Sequence, residues 1–203
     1  MSTNTPLPHA QALITDYLES AKKQFAYYQA IAEKTFEQLT DEQLFWKPNP
    51  ESNSVANVVQ HLWGNMLSRW TDFLTTDGEK PTRNRDAEFD DLIGSRKEML
   101  AKWAEGWACL HQALGTVTVH NFGTKVYIRN QEHTITEAIN RQLCHYAYHV
   151  GQIVFIGKAL AAQQWVSMSI PKGQSAQYNQ QKFNAPTSQG HFTDELLGQP
   201  PKS

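Results

Sequence analysis

Cysteine is scarce in this chain: Cys109 and Cys144 are the only two, and they form no C-x-x-C pair. That speaks against a disulfide-stapled scaffold and for two buried core thiols in a reducing, cytoplasmic setting. Long apolar runs are missing as well. No stretch approaches the roughly 20 residues needed to span a bilayer, so no membrane segment is expected. The opening Met1-Ser-Thr-Asn-Thr-Pro-Leu-Pro8 lacks a basic start followed by an apolar run, which argues against a signal peptide. Nor is there an excess of either charge. A formal net charge of −2 with 19% charged residues leaves no footprint for nucleic acid. No internal repeat is evident. What remains is 203 residues with six tryptophans, long enough for one packed domain over 1–203, with a core at about 8–184 and a tail over 185–203.

Hydrophobic periodicity divides that domain into four long helices. Ile14, Leu18, Ala21, Phe25, Ala32 and Phe36 recur at helical spacing between Ala10 and Leu39. Thr40-Asp-Glu-Gln43 is a capping-box pattern for a short turn of helix, stopped by Pro48 and Pro50. Ser54 caps a second helix predicted over Val55 to Leu74, with Val55, Val59, Leu62, Met66, Trp70 and Phe73 facing the core. The charged segment Thr75 to Asp86 reads as a solvated connection. A third helix over Asp91 to Leu114 buries Ile93, Leu100, Trp103, Trp107, Leu110 and Leu114, with His111 at the edge as a hydrogen-bonded side chain. The period then changes to near-alternating. Thr116–Val119 and Lys125–Ile128 flank Asn121-Phe-Gly123, which predicts a small β-hairpin or a pair of extended arms, with His120 and His133 exposed at its ends. Thr134 and Glu137 open a fourth helix running to about Ala162. Beyond Trp165 the chain turns irregular, a surface tail or strap. The fold class is therefore all-α: a four-helix bundle with a small hairpin between helices three and four and an irregular C-terminal tail.

Two of these helices carry a polar stripe without charge. On helix two it is Asn57, His61, Asn65 and Ser68; on helix four it is Gln142, His145, His149 and Gln152. A solvated face normally shows Lys and Glu, so both stripes point to an enclosed polar space. His145 and His149 stand one turn apart on one face. With His61 they make three neutral nitrogen donors and leave a position for water or substrate, the arrangement of catalytic rather than structural zinc. Imidazoles also suit nickel, iron or copper. Asn57, Gln142 and Gln152 are candidates for orienting the rings, with Asn65 beside them. Cys144 lies about 100° from His145 around the helix and is not expected to share its metal. From spacing alone, a metal site and a hydrogen-bonded polar seam weigh evenly.

A resemblance adds to this reading. Asn53-Ser54-Val…His61-Leu, with His145-Tyr-Ala-Tyr-His149-Val-Gly-Gln-Ile153, resembles the DinB-like (YfiT-type) superfamily of metal-binding four-helix bundles. Ser68-Arg-Trp-Thr-Asp-Phe-Leu-Thr-Thr-Asp-Gly-Glu-Lys80, Arg83-Asn-Arg-Asp86 and Trp165…Ser169-Ile-Pro-Lys-Gly-Gln-Ser175 resemble an uncharacterised bacterial subgroup most closely. The resemblance implies a divalent-metal site at His61, His145 and His149, an up-down-down-up type bundle, and frequent dimers. Characterised members include transferases and isomerases that use low-molecular-weight thiols such as bacillithiol or mycothiol.

Two classes of function follow. In the first, a zinc- or nickel-dependent enzyme binds a small thiol as thiolate and directs it at a small-molecule electrophile; a hydrolase variant would need a carboxylate base, and the stripes show none. Arg69, Arg129 or Lys172 could hold an anionic group, although each is more often a structural charge. In the second, the protein binds metal without turnover, as a stress-response protein would. The gap-free apolar run Gly151 to Gly157 suggests burial inside the bundle or in a homodimer.

Overall fold

A computed structural model describes residues 7–198 of the chain. The leader reading at residues 1–6 and the last five residues of the tail lie outside that range. Four long helices dominate: α1 (Pro8–Phe36), α3 (Val55–Trp70), α4 (Arg96–Thr116) and α5 (Ile135–Ala161). A short α2 (Asp41–Phe45) follows α1, and a hairpin of β1 (Lys125–Ile128) and β2 (Gln131–Thr134) separates α4 from α5. The expected architecture of a helical bundle with a hairpin between its third and fourth long helices is present. No helix among the described residues is long and apolar enough to cross a membrane.

The helix starts are where local chemistry dictates. Thr40, Ser54 and Thr134 each accept a hydrogen bond from the backbone three residues on, and Gln43, Asn57 and Glu137 close the reciprocal half of each box. In contrast, α3 stops at Trp70 rather than Leu74, because Thr71 is extended and Asp72 takes a positive φ of 48°. Helix α4 starts at Arg96, capped by Ser95, five residues later than expected. Leu100 is 38% exposed and does not join its core face.

The layers pair as α3 along α4 and α1 along α5. Between them Phe25 lies edge-on to Trp70 and Trp107 and against Tyr146, an aromatic centre with none of the four rings more than 2% exposed. Gly157 lets α5 approach α1: a Cβ there would sit 2.4 Å from Thr35 Cγ2.

Three elements depart from expectation. The partner of Lys125–Ile128 is the following segment, Gln131–Thr134, not the preceding Thr116–Val119, whose first residue ends α4. Arg129 and Asn130, at φ 55° and 59°, make the two-residue turn whose twist suits a tight hairpin. The Asp77 carboxylate accepts from both of their backbone N–H groups, at 2.8 and 2.7 Å. His133 is consequently buried within a strand, while His120 is exposed as expected. Cys144 is exposed and Cys109 half-buried, so neither is a fully buried thiol. Finally, the tail contains α6 (Ser175–Asn184) and α7 (Asp194–Leu197). It behaves as a strap on α1 and the turn after it: Lys23 pairs with Asp194 at 2.6 Å, Ser20 meets His191 at 3.0 Å, and the Val166 N–H donates to Gln38 just beyond the helix.

Candidate metal centre

Capping and burial together set the two site helices. Ser54 starts α3 seven residues before His61, and Thr134 starts α5 eleven residues before His145, so the boxes fix where each helix begins and the buried apolar residues decide which face turns inward. The three rings meet. Donor nitrogens of His61, His145 and His149 all lie within 4.8 Å of one another, and His61 Nε2 is 3.1 Å from His145 Nε2. Tetrahedral ligands at zinc distance stand roughly 3.4 Å apart, so this donor set fits a divalent ion without large movement. His61 and His149 are buried, and His145 is half-buried.

Each of two rings is steered by its other nitrogen. His61 Nδ1 lies 2.8 Å from Glu88 Oε2, which leaves Nε2 aimed at the pair on α5. His149 Nδ1 lies 2.9 Å from Gln152 Oε1, with the same consequence. Phe89 stacks on the His61 ring with centroids 4.9 Å apart. Burial, joined by the charges that His149 and His61 would carry, lowers the His145 pKa to about 3. Burial and the His61 charge lower that of His149 to about 4. Both therefore present neutral lone pairs at pH 7, the form a metal requires.

Glu88 was not foreseen. It lies in the one-turn 3-10 helix Asp86–Phe89, beyond a loop expected to be solvated. Instead that loop folds in. Arg83 bonds Glu88 through Nε at 2.7 Å and Nη2 at 2.9 Å, and its side chain is 4% exposed. Burial pushes the Glu88 carboxyl up, but the hydrogen bonds from His61 and Arg83 and the Arg83 charge outweigh it and hold the group ionised. Gly64 leaves the room: a Cβ there would lie 2.5 Å from Glu88 Oε1. The clue available in sequence was the stripe's lack of any carboxylate, since ligating histidines usually have one behind them.

The other candidates divide. Gln152 orients a ring as expected, but Asn57 does not touch a histidine. Its amide closes the Ser54 box and bonds the Asp90 carbonyl at 3.0 Å and Asp91 at 3.1 Å. Asn65 accepts from the Tyr146 hydroxyl at 3.1 Å, which in turn accepts from Trp70 Nε1, so a buried chain ties the site to the aromatic centre. Gln142 is buried on the cavity wall, and its Oε1 finds no donor. Arg69 is buried too, bonded to the Gly78 carbonyl and to Glu79 at 3.0 Å. Arg129 is exposed and 3.2 Å from Glu79, Lys172 is exposed on the strap, and His111 bonds Gln29 at 2.9 Å. The three histidines open into a cavity of about 480 Å³.

A helical bundle that brings three histidines from two helices to one point defines a class: a bundle protein whose three-histidine group could hold a metal ion. Within it, the chain belongs to the DUF1572 family, described as a protein of unknown function, whose family model matches residues 12–174. That family is DinB/YfiT-like. No curated protein and no solved structure matches the chain.

Proposed function

We propose that the chain is a divalent-metal enzyme in which His61, His145 and His149 are the protein ligands and a small thiol is the nucleophile, in transferase-like chemistry. The observation that carries this reading is the pairing of His61 Nδ1 with Glu88 behind a convergent set of ring nitrogens. When bound, zinc or nickel supplies the Lewis acidity that favours thiolate over thiol at neutral pH. The protein's own part is to orient the His61 and His149 imidazoles through their Nδ1 partners, keep a fourth position open, and enclose the reacting groups in the cavity. Thiol chemistry is preferred over hydrolysis because the nearest carboxylate, Glu88, is already engaged by His61 and Arg83. Cys109 and Cys144 stand outside the donor group, so the nucleophile comes from outside the chain.

The test is cobalt substitution of protein purified without an affinity tag. Adding a small thiol should produce a sulfur-to-metal absorption band and release a proton. His149→Ala should abolish the band, and Cys144→Ala should leave it intact. Rapid exchange at the metal with no thiol band would favour the hydrolase. A metal that exchanges nothing would leave a binding protein without turnover.

We also propose a homodimer that packs through α5. Tyr148 and Phe155 are 64% and 76% exposed, two turns apart on one face, with exposed Gly151 between them. The run Gly151 to Gly157 is thus only partly covered by the chain's own bundle.

A further inference from the structure

The chain has six arginines, and five of them, Arg69, Arg83, Arg85, Arg129 and Arg141, line the cavity over the three histidines. No lysine and no carboxylate lines it among the described residues. Among the described residues, two carboxylates pair with its guanidinium groups. Glu79 is shared by Arg69, Arg83 and Arg129, and Glu88 by Arg83 and His61. Five guanidiniums against these two paired carboxylates and Asp77, which meets Arg129 through its backbone, leave a local surplus of positive charge in a protein whose net charge is −2.

The arginines split by what they already hold. The side chains of Arg69 and Arg83 are buried and committed to the loop: they fix Gly78, Glu79 and Glu88. Arg85 and Arg141 are exposed and have no carboxylate partner among the described residues; Arg85 lies over the Phe89 ring and Arg141 reaches His133 at 3.2 Å. Two buried polar atoms on the wall are also without a partner, Arg69 Nε and Gln142 Oε1. Burying a donor and an acceptor unpaired costs free energy unless something else satisfies them.

We infer that the cavity recognises a small molecule bearing an oxyanion group, carboxylate or phosphate, through Arg85 and Arg141 with Arg129 beside them. Guanidinium suits this role because its planar fork matches two oxygens at once. The inference gives the substrate class of the metal reading and rests on that reading for its place in a reaction, but not for the binding itself.

Calorimetry on the full-length protein, metal-free and zinc-loaded, tests it with succinate, its neutral counterpart succinamide, and inorganic phosphate. Succinate or phosphate should bind in both states, succinamide should not, and raising the salt should weaken binding. Arg85→Gln and Arg141→Gln should each lower the affinity roughly ten- to hundredfold, the loss expected for a charged hydrogen bond, with an unchanged melting curve. Lys172→Gln, on the exposed strap, should have no effect. The preferred anion of the two identifies carboxylate or phosphate as the natural group. If succinate and succinamide bind alike, if neither anion binds at millimolar concentration, or if the arginine variants bind as well as the parent, the inference is overturned. Anion binding without zinc binding would instead sink the metal reading and leave this one standing.

Discussion

At the scale of single residues, the site depends on how well its histidines are held. Replacing Glu88 by Gln removes the charge behind His61 while keeping the shape, and loss of such an outer partner typically lowers metal affinity by about 10–100-fold. Competition with a chelating dye should register that drop, and an unchanged affinity would mean that Glu88 serves only the fold. Gly64→Ala should act in the same direction by a different route, since its new Cβ would displace the Glu88 carboxylate. The three histidines could be read from sequence because helical spacing puts side chains on a face without any knowledge of the tertiary structure. Glu88 could not, because it reaches His61 from a one-turn helix whose position depends on Arg83 and on the fold of the 15-residue connection over 71–85. Asn57 misled for a related reason: capping-box residues and stripe residues share the same spacing, and its amide was already committed to the cap.

At the scale of elements, caps and apolar periodicity were legible, and pairings were not. Thr134 with Glu137 marks the start of α5 whatever surrounds it. The hairpin's second strand, Gln131-Glu-His-Thr, has one β-branched residue and no apolar alternation, so nothing in the sequence marks it as the partner of Lys125–Ile128. Its turn relies instead on Asp77. Asp77→Ala should uncover the N–H groups of Arg129 and Asn130 and raise amide exchange across residues 125–134, with little change in the bundle. The strap offers a second test. The hydrogen bond from Lys23, followed by that from the His191 backbone, lowers the Asp194 pKa below the usual carboxylate range. Because the folded-state value lies below the unfolded one, this anchoring is complete at neutral pH and fades only as pH falls through the folded-state value. Asp194→Asn should therefore release residues 191–198 to exchange at pH 7. The parent, after correction for intrinsic rates, should release them only in acid.

At the scale of the whole molecule, the exposed aromatic face of α5 makes association measurable. Light scattering should give twice the chain mass of 23.1 kDa, and Phe155→Asp should return a monomer that keeps its helical signal. A parent that stays monomeric at micromolar concentration would rule the dimer out. The same helix has one more property. Thr134 is both the last residue of β2 and the cap of α5, so no linker separates hairpin from helix. His145 lies only eleven positions further on, about 16 Å along the axis. Mechanically the hairpin is the handle of a rigid rod. Any slide or roll of α5, whether from a ligand between the histidines or a neighbour against Phe155, is delivered to Arg129 at the tip with little slack to absorb it.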